Sequence, residues 1–528
     1  MCGIFWVFDL NRNSTHDLIE DSLRLLRWNK NRGQEWYGLS VLTDWKITTY
    51  KFKESKDIDI LQEISRVLHQ VKDDIFWIIG HAWYPTSWSN GGNDFDSIQP
   101  YWLDTYWEQG RDESSALIKV RELESGHSFA FNGNIANASD IAVEKYQETF
   151  APEVIETLLD TKVLQTMILD WVGEWKDTSE ISVDVHNQID GACNMILMEK
   201  DGAFTLSKDR WGFRPLSYAE HIVEWDNGER LFYFSSESSA LFDLGFDYGE
   251  HIKRVNTWEE VKFNPHSWNL MQWLMNLNVP INKSRCFFET VYFADRRSEL
   301  FGQASSAQRF RLGQSLAKRD CNMFKNDPNV AILPIPASSH DCAEWYAKEL
   351  GVKFYDTAIT KNPDFDKRSF LWASREERLK ILQQKYLFTE SLKPSLKWKK
   401  IVIVDDSIVR GTTLEFLIEA IQEYYEPSEI HIRIPSPPIT WPCYYAINLK
   451  HPSELITRQF FQDPQNPTEE ELQKLSQHFG ANSINYLWVE ELMSALRVDG
   501  DDMCTWCVTW EYPTLKWKEI FEKQLKKA

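Results

Sequence analysis

Three features of this 528-residue chain have residue types and spacings able to do chemistry: a cysteine at position two, two adjacent aspartates ending an apolar run, and a CxxC near the end. Loss of Met1 would leave Cys2 carrying a thiol and a free α-amine on one carbon framework. That amine, with a pKa of about 8, can take the thiol proton directly or through water, so the residue brings its own general base. Taken alone, a cysteine here is more often an incidental small residue. In IVIVDDSIVRGTT (401–413) an apolar strand ends in Asp405 and Asp406, followed by a turn of small residues and a helix. The two carboxylates can accept from the 2′ and 3′ hydroxyls of a ribose. Successive N–H groups from Arg410 to Thr413 form an anion nest suited to a 5′-phosphate. The loop lies at the carboxyl end of a strand, where ligands sit in open α/β sheets. A bland strand end or an unrelated acidic metal site are the other readings. The chain has neither GxxxxGK[ST] nor GxGxxG in this segment, which weakens a nucleotide P-loop or a dinucleotide fold.

MCGIF is followed, in order, by NRGQEWYG (31–38), IGHAWYPTSW (79–88), FNGNIAN (131–137) and LLDTKVL (158–164). An amide hydrolysed by a thiolate passes through two oxyanions, and an Asn side-chain amide beside a Gly N–H offers two donors to them. NGN alone is more often a tight turn. The ordered series resembles the class II glutamine amidotransferases, whose glutaminase domain has the N-terminal nucleophile hydrolase fold. The resemblance implies Cys2 as nucleophile, Asn132 and Gly133 as the oxyanion hole, and Asp160 as the group gripping the α-amine of glutamine. It also shows a departure: the family carries an Arg for the α-carboxylate where this chain has Trp83. Trp offers one N–H and no charge, against a guanidinium fork that contributes on the order of 2 to 5 kcal/mol when desolvated. Arg32 is the candidate substitute. The other readings are poor use of glutamine or a different amide.

The 401–413 motif resembles the phosphoribosyl pyrophosphate (PRPP) signature of type I phosphoribosyltransferases. ILPIPASS (332–339) is similar to that family's pyrophosphate loop and KNPDFDKRSF (361–370) to its catalytic loop. The resemblance assigns Lys361, Arg368, Asp405, Asp406, Ser407, Arg410, Gly411, Thr412 and Thr413 to PRPP, and Ser338, Asp405 and Asp406 to Mg2+. Ala337 stands where an acidic residue is usual, and PDFDK replaces a more basic, glycine-bearing loop tip. Cys286, Cys443, Cys504 and Cys507 each lie in a segment similar to the branch of this family that binds a [4Fe–4S] cluster. Four thiolates suit such a cluster. Without the resemblance, the CxxC is as well read as a zinc half-site or two buried thiols. Trp510 replaces the Gly usual after that CxxC.

Together these features resemble the glutamine PRPP amidotransferases over nearly the whole chain. The expected reaction takes glutamine, PRPP and water to 5-phosphoribosylamine, glutamate and pyrophosphate, at the start of purine synthesis. Ammonia made next door escapes protonation in bulk water, which explains two domains on one chain. An ammonia-dependent transferase with an impaired glutaminase and a non-catalytic PRPP- or nucleotide-binding regulatory paralogue are the alternatives. Purine nucleotides are possible inhibitors, and the resemblance suggests a homotetramer or homodimer.

The elements fit these sites. Short runs such as CGIFWVF, YGLSVLT, IFWIIGHAWY and GACNMILMEK predict a mixed α+β domain with antiparallel sheets, an αββα sandwich in the resembled family. AILPIPAS, VKFYDTAI, KKIVIVDDS and IHIRIPS alternate with amphipathic helices, which predicts a parallel α/β sheet. The expected domains are 2–262 and 284–528, with 263–283 as connector. A formal net charge of -21 argues against nucleic acid or an anionic membrane as partner. The opening residues lack a basic n-region, and the longest stretch free of charged residues, 263–282, is too polar to span a bilayer. A cytosolic protein with reduced thiols is expected from eight cysteines and no secretory signal.

Overall fold

The computed structural model describes residues 2–9, 17–43, 46–54, 59–71, 74–83, 98–103, 112–114, 118–123, 126–149, 160–199, 201–222, 230–264, 269–275, 284–362, 384–443, 445, 452–463, 465–499, 502–512, 519 and 522. The chain divides into two compact units. The first comprises Met1–Cys286 with Arg297–Glu299 and Tyr444–Asn448, and the second Phe287–Arg296, Leu300–Cys443 and Leu449–Ala528. The division in the structure therefore falls just past the 263–283 connector, and short later segments return to the first unit.

Among the described residues, the two large sheets of the first unit hold fifteen strands. They are β1 Gly3–Asp9, β2 Trp36–Thr43, β3 Lys46–Lys53, β4 Ile75–Trp83, β5 Tyr101–Leu103, β6 Asp112–Ser114, β7 Ile118–Leu123 and β8 His127–Ile135, then β9 Gly191–Glu199, β10 Phe204–Lys208, β11 Ser217–Ile222, β12 Arg230–Ser235, β13 Lys253–Arg254, β14 Glu259–Asn264 and β15 Asn269–Leu274. One sheet runs β13-β11-β12-β1-β4-β2-β3-β7-β6 and the other β15-β14-β10-β9-β8-β5. Because side chains alternate along a strand, each sheet buries both faces. Ile4, Trp6, Phe8, Trp77 and Ile79 pack with Ala130, Ile196, Leu206 and Phe263 between the sheets. Phe5, Val7, Leu39 and Ile78 on the outer face pack with Leu25, Leu26 and Ile64 of the Leu18–Asn29 and Ile60–Leu68 helices. Phe129, Phe131 and Leu197 pack with Leu164, Ile168 and Val185 of the Asp160–Gly173 and Thr178–Gln188 helices. This is the expected αββα sandwich. Asp17, Asp59 and Asp177 start three of these helices by accepting from backbone N–H groups of the first turn.

The second unit is built on a five-stranded sheet in the order Lys353–Phe354, Val330–Pro334, Lys400–Val404, Glu429–Ile434, Ser483–Tyr486. Every pairing in it is parallel. Its strands are near-continuous apolar runs because helices cover it, as the sequence predicts. Arg433 is fully buried and braces the sheet through Asp320, with Nε 2.6 Å from Oδ2, while the Tyr346 hydroxyl donates to the same carboxylate at 2.6 Å. No helix among the described residues is long and apolar enough to cross a membrane.

Candidate active sites

In the first unit, Cys2 precedes β1, the strand held between β12 and β4. Its partly buried side chain packs against Trp36, Trp83 and Ile98, all three buried. Trp83 meets Trp36 edge to face, centroids 6.4 Å apart. The position that departs from the resembled family is thus one wall of an aromatic pocket beside the thiol. Asn132 lies on β8, fully buried. Its Nδ2 approaches Ser236 Oγ at 3.4 Å, a long contact, and its Oδ1 has no hydrogen-bond partner among the described residues. Ser236 also accepts from the Ile4 N–H at 3.1 Å, which links the turn after β12 to the start of β1. Ser236 carries no motif and its role was not legible in sequence. Gly133 follows, and a Cβ there would lie 1.8 Å from the Ala192 carbonyl oxygen of β9, so only glycine permits this close pairing. Asp160 begins its helix, and its carboxylate accepts from the N–H groups of Ile135 at 3.0 Å and Thr161 at 2.8 Å.

Arg32 does not stand open to a ligand. Its Nε is 2.7 Å from Glu237 Oε1, and both side chains are fully buried. A guanidinium held this way is committed to the fold, because removing either partner strands a buried charge. His81, two residues before Trp83 on β4, is also fully buried, and neither ring nitrogen has a hydrogen-bond partner among the described residues. Burial chiefly, with the chain's N-terminal ammonium adding to it, lowers its pKa to about 3, so the ring is neutral.

In the second unit, the Lys400–Val404 strand delivers Asp405 and Asp406 to its carboxyl end, with Asp405 half-buried and Asp406 buried. The Asp406 N–H donates to Asp405 Oδ1 at 2.9 Å, Ser407 Oγ donates to Asp406 Oδ1 at 2.7 Å, and Ser338 Oγ donates to Asp406 Oδ2. Burial pushes both carboxyl groups up, and for Asp405 the neighbouring Asp406 adds to it. Lys361 opposes the shift at both, with Lys385 helping at Asp405 and Arg309 at Asp406. Lys385 and Arg309 have no motif of their own; their fields reach the site only through the fold. The next helix, Thr412–Tyr425, has Gly411 at its N-cap with φ 77°. A Cβ at Gly411 would come within 2.9 Å of Ile456 and Phe479, so both dihedral and space require glycine here. Thr412 and Thr413 form the first turn, whose N–H groups have no intrahelical acceptor. Arg410 is exposed and pairs with Glu454. Lys361 ends the Ile359–Lys361 strand. Arg368 lies outside the described residues.

Ser338, Asp405 and Asp406 bring hard oxygen donors together, two of them carboxylates with raised affinity for a proton. That donor set fits a divalent cation such as Mg2+. Cys286, Cys443, Cys504 and Cys507 are all buried. Within the second unit the N–H groups of Thr440 and Trp441 donate to the Cys507 carbonyl at 3.0 and 2.9 Å, which brings the segment before Cys443 to the CxxC. Trp510 ends the short Trp506–Thr509 helix with φ 65° and packs on Trp441, centroids 4.1 Å apart. The left-handed backbone explains why a glycine would be usual at this position.

A phosphoribosyl transferase domain model matches residues 308–435 and a glutamine amidotransferase domain model matches 120–243. The chain is 27% identical to the amidophosphoribosyltransferase of Methanocaldococcus jannaschii, over 97% of this chain and 98% of that protein. It is 26% identical to the enzyme of the same name from Bacillus subtilis, over 100% and 97%. The solved glutamine PRPP amidotransferase from B. subtilis, complexed with ADP and GMP, superposes with a TM-score of 0.73 at 24% identity, covering 97% of each chain. Its fold is an N-terminal nucleophile hydrolase domain followed by a type I phosphoribosyltransferase domain, and this chain has the same architecture.

Proposed function

We propose that this chain, which belongs to the amidophosphoribosyltransferase family, makes 5-phosphoribosylamine from PRPP and ammonia released from glutamine, the first step of purine synthesis. The observation that carries this reading is the Asp405–Asp406 turn running into a helix whose N-cap accepts only glycine. Asp405 and Asp406 accept from the ribose hydroxyls, and the N–H groups around Arg410–Thr413, with Ser407 beside them, bind the 5′-phosphate. Lys361 and Arg368 supply positive charge for the pyrophosphate. Mg2+ held with the help of Ser338, Asp405 and Asp406 supplies charge neutralisation at the leaving pyrophosphate.

In the glutaminase half, the α-amine of Cys2 accepts the thiol proton, and the thiolate attacks the amide carbon. The amide nitrogen leaves as ammonia after taking that proton, and water then releases glutamate from the thioester. Asn132 Nδ2 and the Gly133 N–H stabilise both oxyanions, and Asp160 receives the α-amine of the substrate. Cys286, Cys443, Cys504 and Cys507 would hold a [4Fe–4S] cluster, which would supply iron–thiolate links among these four segments. The nucleotides in the B. subtilis complex support purine nucleotide inhibition here too. We further expect a cytosolic homotetramer or homodimer.

The test uses anaerobically purified protein with PRPP and Mg2+, following pyrophosphate release with glutamine or with ammonium. Turnover with glutamine that vanishes in Cys2→Ala is the expected result. Turnover with ammonium alone would establish the second reading, an ammonia-dependent transferase, which the aromatic wall at Trp83 favours. Absence of turnover with either donor would overturn the transferase assignment and favour a regulatory binder.

A further inference from the structure

The glutaminase pocket needs a positive group for the α-carboxylate of an amino-acid amide, and Trp83 supplies none. Strand register points to a replacement. Trp36 of β2 lies opposite Trp83 of β4 on one side and opposite Lys53 of β3 on the other. Gly3 lies opposite Ala82, so continuing that register by one residue sets Cys2 beside Trp83. Cys2, Trp83, Trp36 and Lys53 therefore form one row across four adjacent strands. Directly opposed residues in antiparallel strands share a face, and the contacts agree: Cys2 packs on the two tryptophans, and the Lys53 ammonium lies 5.1 Å from the Trp36 ring centroid. Strands about 4.8 Å apart put the ends of this row roughly 14 Å apart at Cα. The thiol and the long lysine stem each shorten that gap toward the tryptophans between them.

Other cations nearby are used differently. Arg32 is buried against Glu237. Lys51, on the same face of β3 but one row deeper, is buried with its ammonium 5.2 Å from the Tyr101 centroid. Lys53 is exposed and makes no ion pair among the described residues. Its only described partner is the face of Trp36. An ammonium over an indole is attracted by roughly 0.5 to 1 kcal/mol at an exposed site, enough to bias its direction without holding it against a carboxylate.

We propose that Lys53 is the cation that receives the α-carboxylate of the amide donor, with the donor's methylene stem lying along Trp83 and Trp36 while its amide reaches Cys2. This rests on the glutaminase reading above and adds the residue that determines specificity for an α-amino acid. The donor is thereby glutamine or a close amino-acid amide, and a neutral amide lacking the carboxylate is a poor substrate.

The test measures alkylation of Cys2 by mass spectrometry in the full-length protein, with two reagents. One is a diazoketone analogue of glutamine that keeps its α-carboxylate, and the other is iodoacetamide, which has none. In Lys53→Met the ratio of diazoketone to iodoacetamide rates falls at least tenfold, and in Lys53→Arg it stays within about threefold of the parent. An unchanged ratio in Lys53→Met, or a parent protein showing no preference for the diazoketone, overturns the proposal. Pyrophosphate release with ammonium, measured in parallel on the parent protein, reports on the transferase reading and can fail while the alkylation result stands.

Discussion

The two candidate sites are assembled in opposite ways. The phosphoribosyl site is almost local: Asp405, Asp406, Ser407, Gly411 and the first turn of a helix come from one run of residues at the end of one strand, with Ser338 the main visitor. The Cys2 pocket takes Trp36, Trp83 and Ile98 from separate places along the chain, and Ser236, which meets Asn132, bonds to Ile4 of β1 from more than two hundred residues away. A local site keeps its geometry as long as its loop does. A dispersed site depends on the registers of several strands, and one replaced side chain can change what it binds without disturbing the fold. Trp83, where the resembled family carries Arg, occupies such a position.

The largest expected effect separates the two sites outright. Asp406→Asn lowers pyrophosphate release on the order of 10²- to 10³-fold with both nitrogen donors, because the ribose and cation contacts serve either nucleophile. Cys2→Ala abolishes the glutamine-driven reaction and spares the ammonium-driven one. Equal losses with both donors in Cys2→Ala would break the comparison. Next comes Arg32→Met, which strands Glu237 in a fully buried position. It costs about 3 to 5 kcal/mol of stability, read as a lowered midpoint in urea. A rise in the KM for glutamine at unchanged stability would instead return Arg32 to the pocket.

Acid provides a third probe. His81 and His186 have folded pKa values lowered to about 3 by burial, so below about 6.5 the unfolded chain binds protons that the native one does not. Stability is therefore lost as pH falls from 6.5, by about 1.4 kcal/mol per pH unit for each ring. Glu199 and Glu260 act with the opposite sign. Burial raises both to about 7, so their contribution grows as pH falls from 7 toward 4.5. Urea midpoints at pH 7, 6 and 5 for the double variant Glu199→Gln with Glu260→Gln expose the histidine slope, and a variant no steeper than the parent contradicts it. The smallest effect belongs to Trp510→Gly, which relieves a left-handed backbone but removes the contact with Trp441. The two terms are each about 1 kcal/mol and opposed, so the melting temperature moves by only a few degrees.

Locality also decided what the sequence could tell. The Asp-Asp turn, its glycine and its helix are consecutive, and each residue has a separate physical reason to be there. Cys2 and Asn132 are marked only by flanking residues that resemble a family. Arg32 is different: an arginine in an NRG turn looks like a ligand-binding group until Glu237, 205 positions later, is seen beside it. Lys53 and Ser236 carry no local signal, since only strand register brings them to the pocket. The many tryptophans find a partial reason in the structure. Trp6 and Trp77 fill the space between the sheets, and four of the eight described non-glycine residues with positive φ are Trp175, Trp258, Trp398 and Trp510. I-to-i+4 periodicity cannot reveal such positions.

The place of β1 between β4 and β12 has a consequence for biosynthesis. β12 spans Arg230–Ser235, so the strand that flanks β1 on one side is translated more than two hundred residues after it. At about 5 to 20 residues per second the first residues wait on the order of ten to forty seconds at an unfinished sheet. The proposed glutaminase mechanism needs a free amine on Cys2, and that interval, before β12 pairs with β1, is when the amine is most easily exposed by processing.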